Sequence, residues 1–169
     1  MENQNQQIYI STQNEQENLK TCAFTGHREF LENFSKEKLE KEIETLVEKG
    51  VSTFYCGMAI GFDLLAGETV IKLKEKYPFL KLVACIPFYN QEERFSKADK
   101  KRYCELLKYC EEKVLISNSY YRGCLQNRNK YMADRADVLL AYCQKEKGGA
   151  AFTVKYFQKK YPQKQIIFV

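Results

Sequence analysis

Residues 21–28, TCAFTGHR, form an apolar run that stops at Gly26 and then presents His27, the only histidine of the chain. A second stretch of this kind, GMAIGFD at residues 57–63, follows the apolar run at 52–56. In both, a glycine stands where a buried strand would turn into a helix, and a helix start offers unpaired backbone N–H groups to anions. Two such turns in one small chain predict a phosphate- or nucleotide-binding crevice.

The rest of the chain alternates short apolar runs with helical patterns. Several runs are apolar throughout, which favours strands that are buried on both faces of a parallel sheet. The runs lie at 21–25, 52–56, 81–87, 113–117, 137–143 and 165–169. We therefore predict an α/β fold, a single Rossmann-like domain whose mostly parallel sheet of about six strands is flanked by helices on both faces.

Five helices are predicted between these strands. Ser35 is a plausible N-cap for the first, and Ser96 with Asp99 has the spacing of a capping box for the third. The second helix is expected to end at Pro78. The fourth is expected over 128–135, and the fifth over about 149–161.

Residues 1–19 differ from the rest because Gln, Asn and Glu dominate them. We assign residues 1–19 to a polar N-terminal arm, flexible or partner-dependent, and residues 20–169 to the domain. Within the arm, Ile8-Tyr9-Ile10 suits a short edge strand or a clip onto another subunit, and equally a floppy tail.

The composition narrows the class of protein. No apolar run approaches the roughly 18 residues of a membrane span and no basic-then-apolar leader opens the chain, so we expect a cytoplasmic protein with no membrane partner. Seven cysteines without a C-x-x-C pair and a single histidine lack metal-ligand spacing, so neither a metal nor a cofactor is expected. The net charge of +5 comes from 27 basic and 22 acidic residues that are interleaved, and KADKKR at 97–102 is interpreted as a solvated helix face.

The first glycine turn carries candidate ligand contacts. Thr25 offers a hydroxyl, Gly26 allows close backbone approach, and Arg28 can contact phosphate or carboxylate through two N–H groups. His27 can donate to an anion or act as an acid or base. The alternative is that His27 and Arg28 only tie this loop to neighbouring carboxylates.

In the second turn, Asp63 falls in the first helical turn after Gly57 and Gly61. Its carboxylate can hold a ribose hydroxyl, or it can simply cap the helix. Glu68 lies five residues further on and off the Asp63 face, so the two are no obvious catalytic pair. The glycine turns match neither a Walker A loop nor G-x-G-x-x-G, which disfavours P-loop NTPases and ordinary NAD dehydrogenases.

A third candidate anion cradle opens the last helix at Gly148, Gly149 and Ala150. A polar cluster precedes the fifth strand, in which Arg128 can reach a phosphate and Tyr131 can stack on a base. The alternatives are an ordinary glycine loop and a helix start with one core aromatic.

Taken in order, five motifs resemble the YpsA-like branch of the SLOG superfamily, whose Rossmann-like fold is related to the Lonely Guy phosphoribohydrolases and to the DNA-processing protein DprA. The motifs are CAFTGHR at 22–28, GMAIGFD at 57–63, IPF at 86–88 with Asn90-Gln91, RNKYMAD at 128–134 and GGAAFTV at 148–154. The resemblance covers about residues 20–169 and implies binding of nucleotide-derived small molecules, as a sensor or as a processing enzyme. The candidate ligand-binding residues are then Thr25, Gly26, His27, Arg28, Gly57, Met58, Gly61, Asp63, Arg128, Asn129, Gly148, Gly149 and Ala150.

The chain departs from the family pattern at three places. Glu29 stands where proline is common, and Ala150 stands where a threonine often supplies a hydroxyl. The phosphoribohydrolase relatives place a glutamate shortly after the glycines, whereas residues 152–155 here contain no carboxylate. This argues against carrying over N-glycosidic cleavage.

Three functions remain open. The first is a sensor or sequestering protein for a nucleotide-derived molecule such as ADP-ribose, NAD or a cyclic nucleotide. The second is a nucleotide-processing hydrolase with His27 and Glu68 as acid and base, although we lean against an enzyme. The third is a nucleic-acid or protein-interaction module, but nucleic acid is not expected as a partner because the charges are mixed and form no basic stripe. Assembly into a homo-oligomer is left open.

Overall fold

Six strands and five α-helices alternate in the computed structural model, which describes residues 19–169. The strands are β1 (Thr21–Gly26), β2 (Thr53–Cys56), β3 (Lys81–Ile86), β4 (Glu112–Leu115), β5 (Val138–Tyr142) and β6 (Gln165–Phe168). The helices are α1 (Lys36–Glu48), α2 (Phe62–Leu73), α3 (Lys97–Lys108), α4 (Cys124–Arg135) and α5 (Gly149–Lys160), with a short 3-10 helix at Gln91–Arg94. The polar arm assigned to residues 1–19, including Ile8-Tyr9-Ile10, lies outside the described residues except for Leu19.

All strand pairings are parallel, in the order β4-β3-β2-β1-β5-β6. The chain adds β2, β3 and β4 on one side of β1 and then places β5 and β6 on the other. In such a sheet, ligands bind beyond the carboxyl ends of the strands where this order reverses. The predicted Rossmann-like α/β domain is confirmed, and the reversal lies between β1 and β5.

Side chains of the central strands alternate between two cores. Cys22 and Phe24 of β1 pack with α1, α2 and α3, whereas Ala23 packs with α4 and α5. All five residues of β5 are buried, because helices cover the sheet on both faces. None of the helices in residues 19–169 is long and apolar enough to cross a membrane.

Two helix boundaries differ from the prediction. Helix α2 ends at Leu73 rather than at Pro78, and Tyr77 N–H instead closes a turn on the Leu73 carbonyl at 2.8 Å. Helix α4 begins at Cys124, four residues before the predicted start, after Gly123 in a left-handed conformation. Its first turn carries Leu125, Gln126 and Asn127, which are exposed and therefore gave no apolar periodicity.

Candidate functional site

A cavity of about 420 Å³ lies beyond the carboxyl end of β1, where the strand order reverses. Nine of the thirteen predicted ligand-binding residues line it: Thr25, Gly26, His27, Arg28, Asp63, Arg128, Asn129, Gly149 and Ala150. The sheet therefore brings together the first glycine turn, the start of α2, the middle of α4 and the start of α5. The other four, Gly57, Met58, Gly61 and Gly148, lie in the same turns but outside the lining.

The end of β1 supplies one wall of the cavity. Thr25 is 5% exposed, and its hydroxyl has no hydrogen-bond partner among residues 19–169. Arg28 is exposed, and its guanidinium forms no ion pair within the described part of the chain. Both groups are thus available to a ligand in the cavity.

His27 connects two loops. Its Nε2 accepts a hydrogen bond of 2.8 Å from the backbone N–H of Gln144, and its ring contacts the Tyr142 ring edge-on. Burial lowers the pKa of His27, and the nearby Lys145 lowers it further. A neutral His27 that accepts from the backbone ties the β1 loop to the β5–α5 loop, although its partner is an N–H group and not a carboxylate.

Arg128 and Asp63 form the floor of the cavity and are both buried. Arg128 donates to the Gly57 carbonyl and, at 2.8 Å, to Oδ1 of Asn129. Asp63 accepts from the Ala59 N–H at 3.4 Å. Burial raises the pKa of Asp63 to about 6, against the opposite effect of Arg128 and of the Ala59 N–H.

Gly57 lets these two charged side chains approach the end of β2. A Cβ atom on Gly57 would lie 2.5 Å from Oδ2 of Asp63 and 2.7 Å from a guanidinium nitrogen of Arg128. Contacts this short do not occur at real side chains, so a larger residue would displace one of the two. The role of Gly57 is therefore to make room for the Asp63–Arg128 floor.

Three helices start at the cavity without a side-chain cap. Helices α2, α4 and α5 follow Gly61, Gly123 and Gly148, and residues of their first turns line the cavity. The backbone N–H groups of Gly149 and Ala150 have no acceptor in the part of the chain that the structure describes. Free N–H groups at the positive end of a helix dipole form a site for an anion.

One further wall of the cavity was not predicted from the sequence. It consists of the side chains that follow β3 and β4: Phe88, Gln91, Arg94, Phe95 and Tyr120. Phe88 and Tyr120 meet edge-on with ring centroids 5.4 Å apart, and the Arg94 guanidinium lies 5.6 Å from the Tyr120 ring. Phe88 and Gln91 stand in the IPF and Asn-Gln motif and could have been assigned from it, whereas nothing in the sequence pattern marked Arg94 or Tyr120.

Gln91 is the unusual member of this wall. It is 5% exposed, and although its side chain lies beside the Tyr103 hydroxyl, its Nε2 is the one buried side-chain nitrogen or oxygen without a hydrogen bond of ordinary geometry among residues 19–169. An unsatisfied buried donor costs about 1–3 kcal/mol. A ligand acceptor beside Gln91 would remove that cost.

The structure does not bring Glu68 to the cavity. Its two carboxylate oxygens accept from Arg102 at 2.7 and 2.8 Å, between α2 and α3. Asp63 is the one carboxylate that lines the cavity within the described residues, so the pairing of His27 with Glu68 as acid and base is not supported. Tyr131 is also elsewhere, with its ring 3.5 Å from the Arg135 guanidinium.

The cavity is suited to an anion. Its charged lining comprises Arg28, Arg94 and Arg128 against the single carboxylate of Asp63. Within residues 19–169, no three His, Cys, Asp or Glu side chains are grouped so as to hold a metal ion. The lining thus combines groups that suit a phosphate with rings on which an aromatic group can stack.

Solved structures share this fold. DprA from Helicobacter pylori, described for its single-stranded DNA binding mode, aligns with 90% of this chain and 66% of its own at a TM-score of 0.66 and 18% identity. DprA from Streptococcus pneumoniae aligns with 89% of this chain and 50% of its own at a TM-score of 0.61 and 15% identity. The present chain thus spans about half to two thirds of these proteins.

The expectation that nucleic acid is no partner is wrong. It rested on the mixed charges along the sequence, yet the H. pylori protein of this fold binds single-stranded DNA. Moreover, folding places arginines, the exposed Tyr120 ring and the half-buried Phe88 and Phe95 rings on one cavity, although they are scattered in the sequence. Charge interleaving along a chain therefore does not exclude a basic, aromatic surface.

Sequence comparison identifies the family. A UPF0398 protein of Halalkalibacterium halodurans is 31% identical over 134 residues, which is 78% of this chain and 71% of that protein. The family model named YpsA, described as the YspA SLOG family, matches residues 11–168. With the match spanning nearly the whole chain, this protein belongs to the YpsA family of SLOG proteins.

Proposed function

We propose that the cavity binds one nucleotide unit of a single-stranded nucleic acid. The observation that carries this proposal is the joining, in one space of about 420 Å³, of a free helix start, three arginines and an aromatic wall. Single-strand binding needs a positively charged groove for the backbone and rings on which bases stack. The cavity offers both within the dimensions of a small-ligand site.

The phosphate is assigned to the start of α5. The free N–H groups of Gly149 and Ala150 face it there, with the Thr25 hydroxyl and the Arg28 guanidinium from β1. Ala150 supplies no hydroxyl, so backbone N–H groups and Arg28 provide most of the contacts. Charge-assisted contacts of this kind are about twice as strong as those between neutral groups.

The base is assigned to the wall formed by Phe88 and Tyr120. Tyr120 is 56% exposed, so much of its ring is accessible, and Arg94 already lies against the ring. Stacking of one base on an aromatic side chain contributes about 1–3 kcal/mol. The Nε2 of Gln91 can donate to a base carbonyl next to this wall.

The DprA comparison supports the same assignment. The H. pylori protein binds single-stranded DNA, and its fold aligns with 90% of this chain. At 18% identity this likeness concerns the fold, so the argument for binding rests on the residues of the cavity.

A free nucleotide-derived molecule, such as ADP-ribose, NAD or a cyclic nucleotide, is the second candidate. The buried floor of Asp63, Arg128 and Asn129 favours it, because a polar floor can hold the hydroxyls and phosphates of an enclosed small molecule. A nucleic-acid strand and a free nucleotide-derived molecule both present phosphate and base to the cavity. They differ in whether further nucleotides add to the affinity.

Fluorescence anisotropy with a labelled oligothymidylate of about 12 nucleotides tests the proposal. We expect Tyr120→Ala to weaken binding by about tenfold, since it removes the stacking platform. Tyr109→Ala is the matched control, because Tyr109 is 53% exposed but lies outside the cavity. Equal effects of the two variants, or no binding by the unaltered protein, would contradict the proposal.

Competition separates the two candidates. Unlabelled oligothymidylate, ADP-ribose, NAD and cyclic AMP are each added to the labelled complex. Displacement by the oligonucleotide at far lower concentration supports a nucleic-acid strand. Displacement by one small molecule at lower concentration than by the oligonucleotide supports the second candidate instead.

A further inference from the structure

The two helical layers differ in charge. Helices α1, α2 and α3 carry nine basic and nine acidic residues, whereas α4 and α5 carry six basic residues and the single acid Asp134. Of those six, Arg128 is buried in the cavity floor, so the other five and Asp134 are the charged groups that α4 and α5 present outside the cavity. One face of the sheet is therefore covered by a basic surface that the net charge of the whole chain does not reveal.

Aromatic rings alternate with lysines along this face. The Nζ of Lys130 lies 5.8 Å from the Phe152 ring and 5.7 Å from the Tyr156 ring, and these two rings are nearly parallel. Lys160 lies 5.3 Å from Tyr156 and 5.5 Å from Tyr161. Lys164 closes the series, 4.4 Å from the Tyr161 ring. We call these six residues the aromatic–lysine ladder.

The neighbouring Asp134 holds part of the ladder in place. Asp134 accepts hydrogen bonds from the hydroxyls of Tyr156 and Tyr161 at 2.8 and 2.7 Å, and from Lys160 at 2.8 Å. Lys130 has no acidic partner among residues 19–169. The rings are therefore fixed, while positive charge remains for an external anion.

The ladder begins next in sequence to the residues of α4 and α5 that line the cavity. Phe152 stands two residues after Ala150, and Lys130 follows Asn129, both of which line the cavity. From Phe152 to Lys160 the ladder follows α5 for about 12 Å, and Tyr161 and Lys164 continue it beyond the helix. A strand whose nucleotide occupies the cavity would meet the ladder as it leaves.

We propose that the aromatic–lysine ladder binds the nucleotides of a single strand that follow the one in the cavity. This inference rests on the proposed function and extends it to a second, adjoining surface. A second copy of this chain does not suit the face, because two basic surfaces repel each other. Rings interleaved with lysines, of which Lys130 and Lys164 have no acidic partner among residues 19–169, match a strand, which presents a phosphate and a stacking base with each nucleotide.

Charge-matched variants test the ladder. Lys130→Gln with Lys164→Gln removes two ladder charges that have no acidic partner among residues 19–169, and Lys38→Gln with Lys41→Gln removes two exposed charges from α1. Binding is measured for a thymidine dinucleotide and for an oligothymidylate of about 12 nucleotides over a series of salt concentrations. The ladder variant is expected to bind the long strand about tenfold more weakly, with a salt slope reduced by about 1.4, and the dinucleotide unchanged. The α1 variant is expected to bind both as the unaltered protein does.

Other results of these measurements would overturn the ladder or the proposed function. Equal weakening by the ladder and α1 variants overturns the inference, because bulk charge then explains the effect. If the dinucleotide binds and the long strand binds no more tightly, the ladder is overturned while the proposed function stands. If neither probe binds, the proposed function fails first. Poly-glutamate competing as well as the oligonucleotide would indicate an acidic protein partner and would also overturn the inference.

Discussion

Helices α1 and α3 start differently from α2, α4 and α5. Ser35 and Ser96 accept hydrogen bonds from first-turn N–H groups of α1 and α3 at 3.0 and 3.1 Å. The other three helices follow glycines that cap nothing, and their first turns line the cavity. A capped start is closed by the chain itself, and α2 is partly closed as well, because the Phe62 and Leu64 N–H groups donate to the carbonyls of His27 and Ala59. At α5, in contrast, the Gly149 and Ala150 N–H groups have no acceptor among the described residues. The difference indicates the start of α5 as the place for an anionic ligand.

Substitutions of the glycines that precede α2 and α5 are expected to differ in their effect on the stability of the protein. Gly61 has a φ of 83°, and a Cβ atom there would overlap the backbone of Arg28. Gly148 has a φ of 105° but no atom within 4 Å of such a Cβ. We expect Gly61→Ala to lower the free energy of unfolding by about 3 kcal/mol or more, and Gly148→Ala by about 1–2 kcal/mol. Urea denaturation of both variants measures this, and equal losses would show that the backbone contact at Gly61 does not matter.

The buried carboxyl group at the start of α2 is expected to make the free energy of unfolding depend on pH. Because burial raises the pKa of Asp63 to about 6 from an ordinary 3.8, the folded state holds this proton more tightly than the unfolded chain. The resulting stabilisation is full below about pH 4 and is lost as the pH rises through 6, by up to about 3 kcal/mol. Asp63→Asn cannot titrate, so the unfolding free energy of the unaltered protein should fall relative to the variant between pH 4 and 7. Parallel curves in urea denaturation would contradict the burial of a titrating Asp63.

Most of the fold was predictable because its signals are local. Ser35 and Ser96 stand next to the N–H groups that they cap, and the buried strands are marked by their own apolar runs. Long-range pairing was not predictable. Arg128 donates to Gly57 from 71 residues away, and Glu68 is held by Arg102 from 34 residues away.

The missed wall has the same cause. Arg94 and Tyr120 belong to connections after β3 and β4, which have no periodicity to show where a side chain lies. The parallel sheet brings these connections to one edge, and only the folded structure shows that their rings meet. The glycine turns, in contrast, could be placed because they follow directly on buried strands.

Loss of the serine caps of α1 and α3 is expected to have the smallest effect on stability. Ser35→Ala and Ser96→Ala each remove one cap and are expected to lower the free energy of unfolding by about 1 kcal/mol. Neither should alter oligonucleotide binding, because neither serine lines the cavity. Denaturation together with anisotropy checks both statements. Weaker oligonucleotide binding by either variant would contradict the view that the capped helix starts take no part in binding.

A phosphate at the open start of α5 is the contact on which the proposed function depends most. Gly149→Asp places a carboxylate there, with Gly149→Asn as the neutral control of the same shape, and the nearest atom to the new Cβ is 3.8 Å away. The measurement is the dissociation constant for the labelled oligothymidylate. We expect Gly149→Asp to weaken binding at least about tenfold more than Gly149→Asn, because the carboxylate occupies and repels at the phosphate position. Equal affinity of the two variants would contradict the account.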